Sequence, residues 1–277
     1  MATTEPIQER LAGGYPVRKH AGNVKVEDMT ITCGTSMSEP FYDWLQSSIE
    51  YKHERKEGSV ITANYDFKEI ARQDFHQALL TEIGLPGVDA TSKDACKFTL
   101  KISPEYTETK YSDGAQSILP TPTAQAAQKR WQAANFRLII DGMDCKLVNK
   151  VEPITIKQNV IENTIGERLI FQKEPAQIDF PNLIFTIPES HAEPWYKWYD
   201  DFVSKGNSAP ENEKRGHLEY LASDCTTILF IVQFFNLGVI KFTPDKLDSG
   251  SDKLRNVKIE MYCEKMDFDY NHAGTAR

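Results

Sequence analysis

The segment His191-Ala-Glu193 is the part of this sequence that comes nearest to a known enzymatic motif. In zinc deaminases an H-x-E segment supplies a metal-binding histidine and a general acid–base glutamate, and a later P-C-x-x-C segment completes the zinc site. This chain has no P-C-x-x-C segment. We therefore expect neither His191 nor Glu193 to take part in catalysis.

Other catalytic motifs are also missing from the sequence. It contains no Walker A loop, no dinucleotide-binding fingerprint, no H-E-x-x-H helix and no G-x-S-x-G elbow. The six histidines show no i, i+4 pairing that would hold a metal on a helix. With 40 acidic residues, carboxylate pairs arise by chance, so none is assigned as an acid–base pair. We expect a protein that is not an enzyme, with no catalytic residue, no cofactor and no metal.

The cysteines give no sign of a disulfide framework or a zinc site. There are five, widely separated and without a C-x-x-C pair: Cys33, Cys96, Cys145, Cys225 and Cys263. An odd number of dispersed thiols is typical of a reduced protein in which cysteine packs as a small apolar residue.

Aromatic residues cluster in Trp195-Tyr-Lys-Trp-Tyr199, and such clusters can stack on sugar rings. A similar cluster, Phe41-Tyr-Asp-Trp44, occurs earlier in the chain. Because the aromatic residues recur at helical spacing in both places, we favour a helix that packs on a sheet or barrel over a sugar site.

Composition excludes several classes of protein. The chain has 277 residues, of which 40% are hydrophobic and 26% are charged, and its formal net charge is −8. An acidic balance argues against a general nucleic-acid or anionic-membrane binder. The first ten residues lack the apolar core of a secretory signal, and the longest apolar stretch, 228–232, is far shorter than the ~20 residues that span a bilayer. We expect a buried strand at 228–232, no specific nucleic-acid partner and no direct membrane insertion.

The elements that carry these residues occur twice. Residues 31–44 align with 185–198 without a gap. The difference in residue number between equivalent residues is therefore constant and equals that between Trp44 and Trp198. We call this difference the Trp44/Trp198 offset. The residues identical at this offset are Thr32/Thr186, Ser36/Ser190, Glu39/Glu193, Pro40/Pro194, Tyr42/Tyr196 and Trp44/Trp198.

The alignment continues beyond the aromatic cluster at a slightly larger offset. Phe75 aligns with Phe234, and Leu100 aligns with Ile259 with the same difference in residue number. We call this difference the Phe75/Phe234 offset. The change is accounted for by an insertion in the polar stretch 205–213, since insertions are tolerated in loops. The sequence therefore contains a tandem duplication.

Each repeat is predicted to form a strand, a helix and then antiparallel strands. Residues 25–32 and 179–187 are the first strands, and 58–63 with 69–78 and 216–221 with 227–235 are hairpins. The clean alternation of 95–102 and 256–263 predicts closing strands. In the first helix Ser38 is a plausible N-cap, and one apolar face is expected to contain Phe41, Trp44, Leu45, Ser48 and Ile49, mirrored by Trp195, Trp198, Tyr199, Phe202 and Val203.

The domain boundaries follow from the repeat and from a polar linker. We predict a first domain at 1–106, a linker at 107–134, a second domain at 135–270 and a tail at 271–277. The second repeat is preceded by 136–148, which is predicted to form a strand, an Asp-Gly turn and a second strand. The first repeat has no equivalent of this opening hairpin. Its sheet is expected to be open there, or to be completed by the linker or by another chain.

Several runs resemble the bacteriophage tail-tube family, which includes the inner-tube proteins of contractile injection systems. They are 17–35, the aromatic cluster 41–44, Arg55-Lys-Glu-Gly58, 90–102 and Phe136-Arg-Leu-Ile-Ile-Asp-Gly142. The resemblance implies a mainly β protein: two tandem tail-tube-like antiparallel β-barrel or sandwich domains, each with one α-helix. It also implies assembly into six-fold rings that stack as a conduit, in the bacterial cytoplasm, as part of a phage tail or injection particle.

The resemblance further implies partners and contact residues. The partners expected are copies of the chain itself, as a hexamer or as a trimer with pseudo-six-fold symmetry, and other tube, sheath or baseplate proteins. Assembly is expected to use β-edge contacts, in a tube, a baseplate hub or an end ring. The predicted assembly residues are Ile31, Thr32, Phe41, Trp44, Phe98, Leu100, Trp195, Trp198, Val257 and Ile259.

A second hypothesis is a tandem adaptor that forms no ring. Such a protein would dock a partner or cargo through its two aromatic helices, and it would stay a monomer or dimer at high concentration. Changes at Trp195 or Trp198 would then abolish partner capture and leave the fold intact.

Overall fold

The protein is mainly β, in a computed structural model that describes residues 2–9, 18–35, 37–118, 131–163, 171–245 and 255–270. The predicted tail 271–277 lies outside the described residues, as does the middle of the predicted linker, 119–130. Within the described ranges, no helix is long and apolar enough to span a membrane.

The elements of the first repeat end at residue 111. They are β1 Ala2–Glu9, β2 Arg18–Val26, β3 Met29–Gly34, α1 Glu39–Ile49, β4 Lys56–Ala63, β5 Glu69–Leu85, β6 Val88–Asp89, β7 Lys97–Ser103 and β8 Tyr106–Tyr111.

The elements of the second repeat follow a similar order, with additional strands at the start and one long final strand where the first repeat has β7 and β8. They are β9 Phe136–Ile140, β10 Lys150–Val151, β11 Ile154–Asn163, β12 Gln172–Asp179, β13 Leu183–Pro188, α2 Glu193–Tyr199, β14 Lys214–Leu221, β15 Ile228–Pro244 and β16 Asn256–Asp269. A π-helical turn, Asp200–Ser204, extends α2.

Strand pairing supports both offsets of the duplication. In the first repeat Ile31 of β3 pairs with Leu100 of β7. In the second repeat Phe185 of β13 pairs with Ile259 of β16. Ile31 is equivalent to Phe185 by the Trp44/Trp198 offset, and Leu100 is equivalent to Ile259 by the Phe75/Phe234 offset. The two repeats therefore share one register of pairing as well as one order of elements.

Both helices pack as amphipathic elements on the sheets. Helix α1 begins after Ser38, whose side chain makes no capping hydrogen bond, and it buries Tyr42, Leu45 and Ile49. The Tyr42 hydroxyl donates a hydrogen bond to the Thr35 carbonyl within this buried region.

Helix α2 also packs on its sheet, but its buried residue is Trp195, whereas Tyr196, the equivalent of Tyr42, is exposed. Trp195 is buried against Phe185, with the ring centroids 5.1 Å apart. The mainly β architecture with one α-helix in each repeat is therefore confirmed.

The two repeats exchange strands between their sheets. One seven-stranded sheet has the order β6-β10-β13-β16-β15-β14-β9, and it includes the first-repeat strand β6. The other has the path β12-β11-β5-β7-β3, with β4 and β8 also pairing with β5, and it includes the second-repeat hairpin β11–β12. Each sheet is therefore completed by strands from the other half of the chain.

A single apolar core joins the repeats. Trp131, from the end of the predicted linker, is buried beside Tyr220 and Phe230 of the second repeat, whose ring centroids each lie 5.1 Å from that of Trp131. Phe98 of the first repeat contacts both Trp131 and Phe230 edge to face. Burial of these large rings makes the joint between the repeats a major source of stability.

Three local predictions differ from the structure. The strand predicted at 25–32 is divided, because β2 ends at Val26 and β3 begins at Met29. The opening hairpin predicted at 136–148 retains its first strand and its turn at Gly142, where φ is +72°. Its second half forms only an isolated bridge between Ile140 and Met143. The predicted linker region contains strand β8, which pairs with β5.

Candidate assembly interface

The chain contains two hairpins with the same register, β1–β2 and β11–β12. In the first, Thr3 is paired with Lys25, and in the second, Lys157 is paired with Asp179. Both strands of one hairpin are related to those of the other by the Trp44/Trp198 offset. The register shifts at the same place in each hairpin, between Thr4 and Pro6 and between Gln158 and Val160. The hairpins are thus equivalent members of the two repeats.

These equivalent hairpins have different surroundings. Strand β11 pairs with the second half of β5, through Ile154 to Lys157 against Glu82 to Leu85. In contrast, β1 and β2 form a separate two-stranded sheet that pairs with no other strand in the described part of the chain. One hairpin is therefore docked on a sheet and the other is undocked.

Apolar contacts hold the docked hairpin. Ile156 of β11 and Ile178 of β12 are buried and face Ile49 of α1 and Ile83 of β5 around one small gap. These branched side chains, stacked between the end of α1 and β5, exclude water from the edge at which β11 pairs with β5.

A buried lysine of the docked hairpin supplies a polar contact to the first repeat. The Nζ atom of Lys173 lies 2.8 Å from Ser103 Oγ, 3.2 Å from the Val26 carbonyl oxygen and 3.6 Å from an Asp28 carboxylate oxygen. Its side chain is only 4% exposed. A buried ammonium group is stable only when such partners replace its water, so this position is specific for a docked hairpin.

The backbone of Lys173 is held as well. Its N–H donates to the Glu105 carboxylate at 3.1 Å, and its carbonyl accepts from the Arg55 guanidinium at 2.6 Å. Arg55 and Glu105 also form an ion pair with each other. Two charged side chains of the first repeat thus bind the main chain of β12 from the second.

A histidine completes the contacts around the docked hairpin. Nδ1 of His53 lies 2.8 Å from the Gln158 amide nitrogen of β11. Burial lowers the pKa of His53 below its ordinary value. The neutral imidazole is therefore the form that suits this contact.

In the second repeat, the site equivalent to the docking edge is open. Residues 241–244 of β15 correspond to 82–85 of β5, and they pair with β16 on one side only in the described residues. Ile240 is 40% exposed, whereas its equivalent Thr81 is 9% exposed under the docked hairpin. Phe242 is half-buried and stacks on Tyr196 at 4.6 Å. The second repeat thus presents an uncovered apolar strand edge.

Two further edges of the first repeat lack the partners that their equivalents have. Strand β10 pairs with Phe185 and Thr186 of β13, and the equivalent residues of β3 are Ile31 and Thr32. Among the described strands, β3 pairs only with β7. Likewise β9 covers β14, whereas the outer edge of β4 has no described partner.

The structure divides the predicted assembly residues by burial. Ile31 and Thr32 are exposed on the edge strand β3. The half-buried residues are Phe41, Trp44 and Trp198, and the buried ones are Phe98, Leu100, Trp195, Val257 and Ile259. The buried residues support the fold of the single chain, so Ile31 and Thr32 are the two predicted residues that are fully available to a neighbour.

Sequence reasoning missed the two hairpins and Lys173. Both hairpins are rich in polar residues and their alternation is weak, so local patterns predict neither as a strand pair. The Trp44/Trp198 offset also relates Lys19 to Lys173, and extending the alignment toward the N-terminus would have found the pair.

No group of three or more His, Cys, Asp or Glu side chains in the described ranges is placed to hold a metal ion. Burial raises the pKa values of Cys96, Cys145 and Cys263 to about 11, which keeps these thiols protonated. His191 is exposed beside Ser190, and Glu193 pairs with Lys197 at the surface.

Comparison with known families relates the first part of the chain to phage tail tubes. The family model described as T4-like virus tail tube protein gp19 matches residues 1–108. The resemblance to the tail-tube family is confirmed for the first repeat. This match supports a structural role in a tail tube, and it favours a structural protein over an enzyme. No curated protein matches the sequence significantly.

Similar solved structures include chains of a prophage baseplate and of an extracellular contractile injection system, and an Hcp1 protein. A chain of the anti-feeding prophage baseplate is 12% identical, covers 49% of this chain and 92% of its own, and gives a TM-score of 0.41. A chain of the PVC sheath/tube terminator is 19% identical, with 48% and 93% covered and a TM-score of 0.39. Hcp1 from Flavobacterium johnsoniae is 13% identical, with 49% and 95% covered and a TM-score of 0.31. At these low scores, the resemblance to the family rests on the match to residues 1–108.

Proposed function

We propose that the protein is a ring-forming structural component of the tube of a phage tail or contractile injection system, either tube, baseplate hub or end ring. Its tail-tube-like first repeat supports this role. The two domains, 1–106 and 135–270, would each occupy one position in the ring, joined by 107–134 and followed by 271–277.

The observation that carries the proposal is the pairing of β11 with β5 inside one chain. This contact joins one repeat to the next by main-chain hydrogen bonds, apolar packing and the buried Lys173. It is a lateral contact between two equivalent units, and it uses a different surface on each. A contact of this heterologous kind generates a ring when it is repeated and the rotation closes.

The same logic sets the composition of the ring. Three chains would supply six repeats with pseudo-six-fold symmetry, and six chains would supply twelve. Other tube, sheath or baseplate proteins would then bind the two faces of the ring, and assembly would take place in the bacterial cytoplasm. The open sheet edges of the first repeat provide surfaces for such contacts.

Sedimentation of the purified chain over a wide range of concentration tests the proposal. We expect a closed trimer or hexamer with a fixed mass. A matched pair of variants adds specificity: Ile31→Asp, on the open edge of β3, should impair ring formation, whereas Leu147→Asp, at an exposed position in a turn outside the strands, should not. A monomer at all concentrations would contradict the proposal, and partner capture by that monomer through α2 would support the adaptor instead.

A further inference from the structure

We propose that the β1–β2 hairpin of one chain docks on the open 241–244 edge of β15 in a second copy of the same chain. The contact would repeat, between chains, the contact that β11–β12 makes with β5 within the chain. This inference rests on the proposed function only in that copies of the chain meet side by side. It adds the donor, the acceptor and their register.

The intramolecular contact fixes the register that we infer. Within the chain Lys157 pairs with Glu82. Their side chains face each other, with 4.0 Å between Lys157 Nζ and Glu82 Oε1. The donor residue equivalent to Lys157 is Thr3, by the Trp44/Trp198 offset. The acceptor residue equivalent to Glu82 is Lys241, by the Phe75/Phe234 offset. The inferred contact therefore places Thr3 opposite Lys241. By the same offsets, Ala2 of the donor falls opposite Phe242.

The acceptor surface is uncovered where its equivalent is covered. Ile240 and Val203 are 40% and 43% exposed, whereas their equivalents Thr81 and Ile49 are 9% and 3% exposed. Thr81 and Ile49 are less exposed because Ile156 and Ile178 of the docked hairpin lie beside them. An exposed apolar patch beside an unpaired strand edge is the type of surface that another chain covers.

The donor has the lysine that the contact requires. Lys19 is equivalent to the buried Lys173 and is exposed on β2. In the docked contact Lys173 reaches Ser103, whose equivalent in the second repeat is Tyr262. Tyr262 donates a hydrogen bond to Glu213 at 2.7 Å, and Glu264 lies nearby on the same strand. Docking would therefore place Lys19 beside two carboxylates, so the charges of donor and acceptor are complementary.

A second copy is the occupant that these observations favour. A two-stranded hairpin is marginally stable alone, and this one pairs with no other strand in the described residues. Each chain offers one undocked hairpin and one open acceptor edge. Every hairpin and every acceptor edge is used when each hairpin docks on the next chain, which is the head-to-tail arrangement of a ring.

Cross-linking between differently tagged chains tests the inference. One chain carries Thr3→Cys, the other carries Lys241→Cys, and both carry Cys225→Ser to remove the exposed native thiol. The chains are co-expressed, purified and oxidised, and the products are separated without reductant. Directly opposed residues of an antiparallel pair lie within disulfide range, so we expect a covalent heterodimer as the main product.

The control moves the donor cysteine by one position. Thr4→Cys faces the other side of the hairpin, because side chains alternate along a strand, and it should give at least a tenfold lower heterodimer yield. Equal yields from Thr3→Cys and Thr4→Cys would overturn the inferred register. Rings that assemble without any Thr3–Lys241 heterodimer would overturn the inference and leave the proposed function standing. Absence of both rings and heterodimer would overturn both.

A second variant tests the acceptor without changing the donor. Ile240→Asp places a charge on the exposed edge, and we expect the midpoint concentration for assembly to rise at least tenfold while the monomer stays folded. Leu147→Asp, at a similarly exposed apolar position in a turn outside the strands, is the matched control. Assembly of Ile240→Asp at the wild-type concentration would contradict the docking site.

Discussion

Lys19 and Lys173 occupy the same position in the two equivalent hairpins, yet Lys173 is buried and Lys19 is exposed. The difference follows from docking, because Lys173 meets Ser103, Asp28 and the Val26 carbonyl of the first repeat. The burial of Lys173 therefore indicates a docked hairpin, and the exposure of Lys19 indicates an equivalent hairpin that is undocked.

We expect Lys173→Ala to destabilise the chain by about 2–4 kcal/mol, because it leaves buried acceptors without their donor. Urea unfolding monitored by tryptophan fluorescence measures the change. Its matched control is Lys19→Ala, which should alter the free energy of unfolding of the monomer by less than about 0.5 kcal/mol.

The control variant also has an expected effect of its own. Since Lys19 is inferred to be buried between chains, Lys19→Ala should weaken assembly although it leaves the monomer stable. Equal destabilisation of the monomer by both lysine variants would mean that β1–β2 is docked within the chain as β11–β12 is, and this would contradict docking between chains.

Ile31 and Leu100 are paired across β3 and β7 but have opposite environments, with exposures of 38% and 3%. We expect Leu100→Asp to abolish folding, because it buries an unpaired carboxylate. Ile31→Asp should give a folded chain with impaired ring formation. Circular dichroism and sedimentation of the two variants separate these outcomes, and normal rings from Ile31→Asp would exclude the open edge of β3 from assembly.

The shared core predicts that the two repeats unfold together. Phe230 is fully buried and contacts Phe98 and Trp131, so Phe230→Ala should cost about 3–5 kcal/mol. Calorimetry should show one transition in the wild type and one, at lower temperature, in the variant. Two separate transitions in the wild type would indicate independent domains.

The contact between His53 and Gln158 predicts a dependence of stability on pH. The pKa of His53 is lowered by burial, so the folded chain binds fewer protons than the unfolded chain near that pKa. Its contribution is fully present above the ordinary value of 6.5 and is lost as pH falls through the folded pKa. The free energy of unfolding should therefore fall more steeply with acidification in the wild type than in His53→Asn.

Asparagine is the suitable replacement at this position. His53 has a positive φ of 47°, which asparagine tolerates better than most residues, and asparagine does not titrate. Identical slopes for the two proteins between about pH 8 and about pH 5 would mean that His53 contributes nothing to the pH dependence.

Much of each repeat could be predicted from local patterns. The alternation at 95–102 and 256–263, the helix after Ser38 and the offset between Trp44 and Trp198 all correspond to elements of the structure. These features have strong periodicity or large apolar residues, and burial on one face produces such patterns directly.

The exchange of strands could not be predicted in the same way. A repeat alignment shows that β11–β12 is equivalent to β1–β2, but it cannot show which sheet each hairpin joins, because both choices satisfy the same pattern. The burial of Lys173 is hidden for the same reason, since its partners Asp28 and Ser103 are distant in sequence. Tertiary contacts, rather than local propensity, determine this part of the interface.

Electron microscopy of the assembled chain is the most direct test of ring formation through docked hairpins. We expect closed rings in which first and second repeats alternate, with a β1–β2 hairpin lying on β15 of the next chain at every junction between chains. Particles that remain single chains at all concentrations, or rings in which β15 stays uncovered at 241–244, would contradict it.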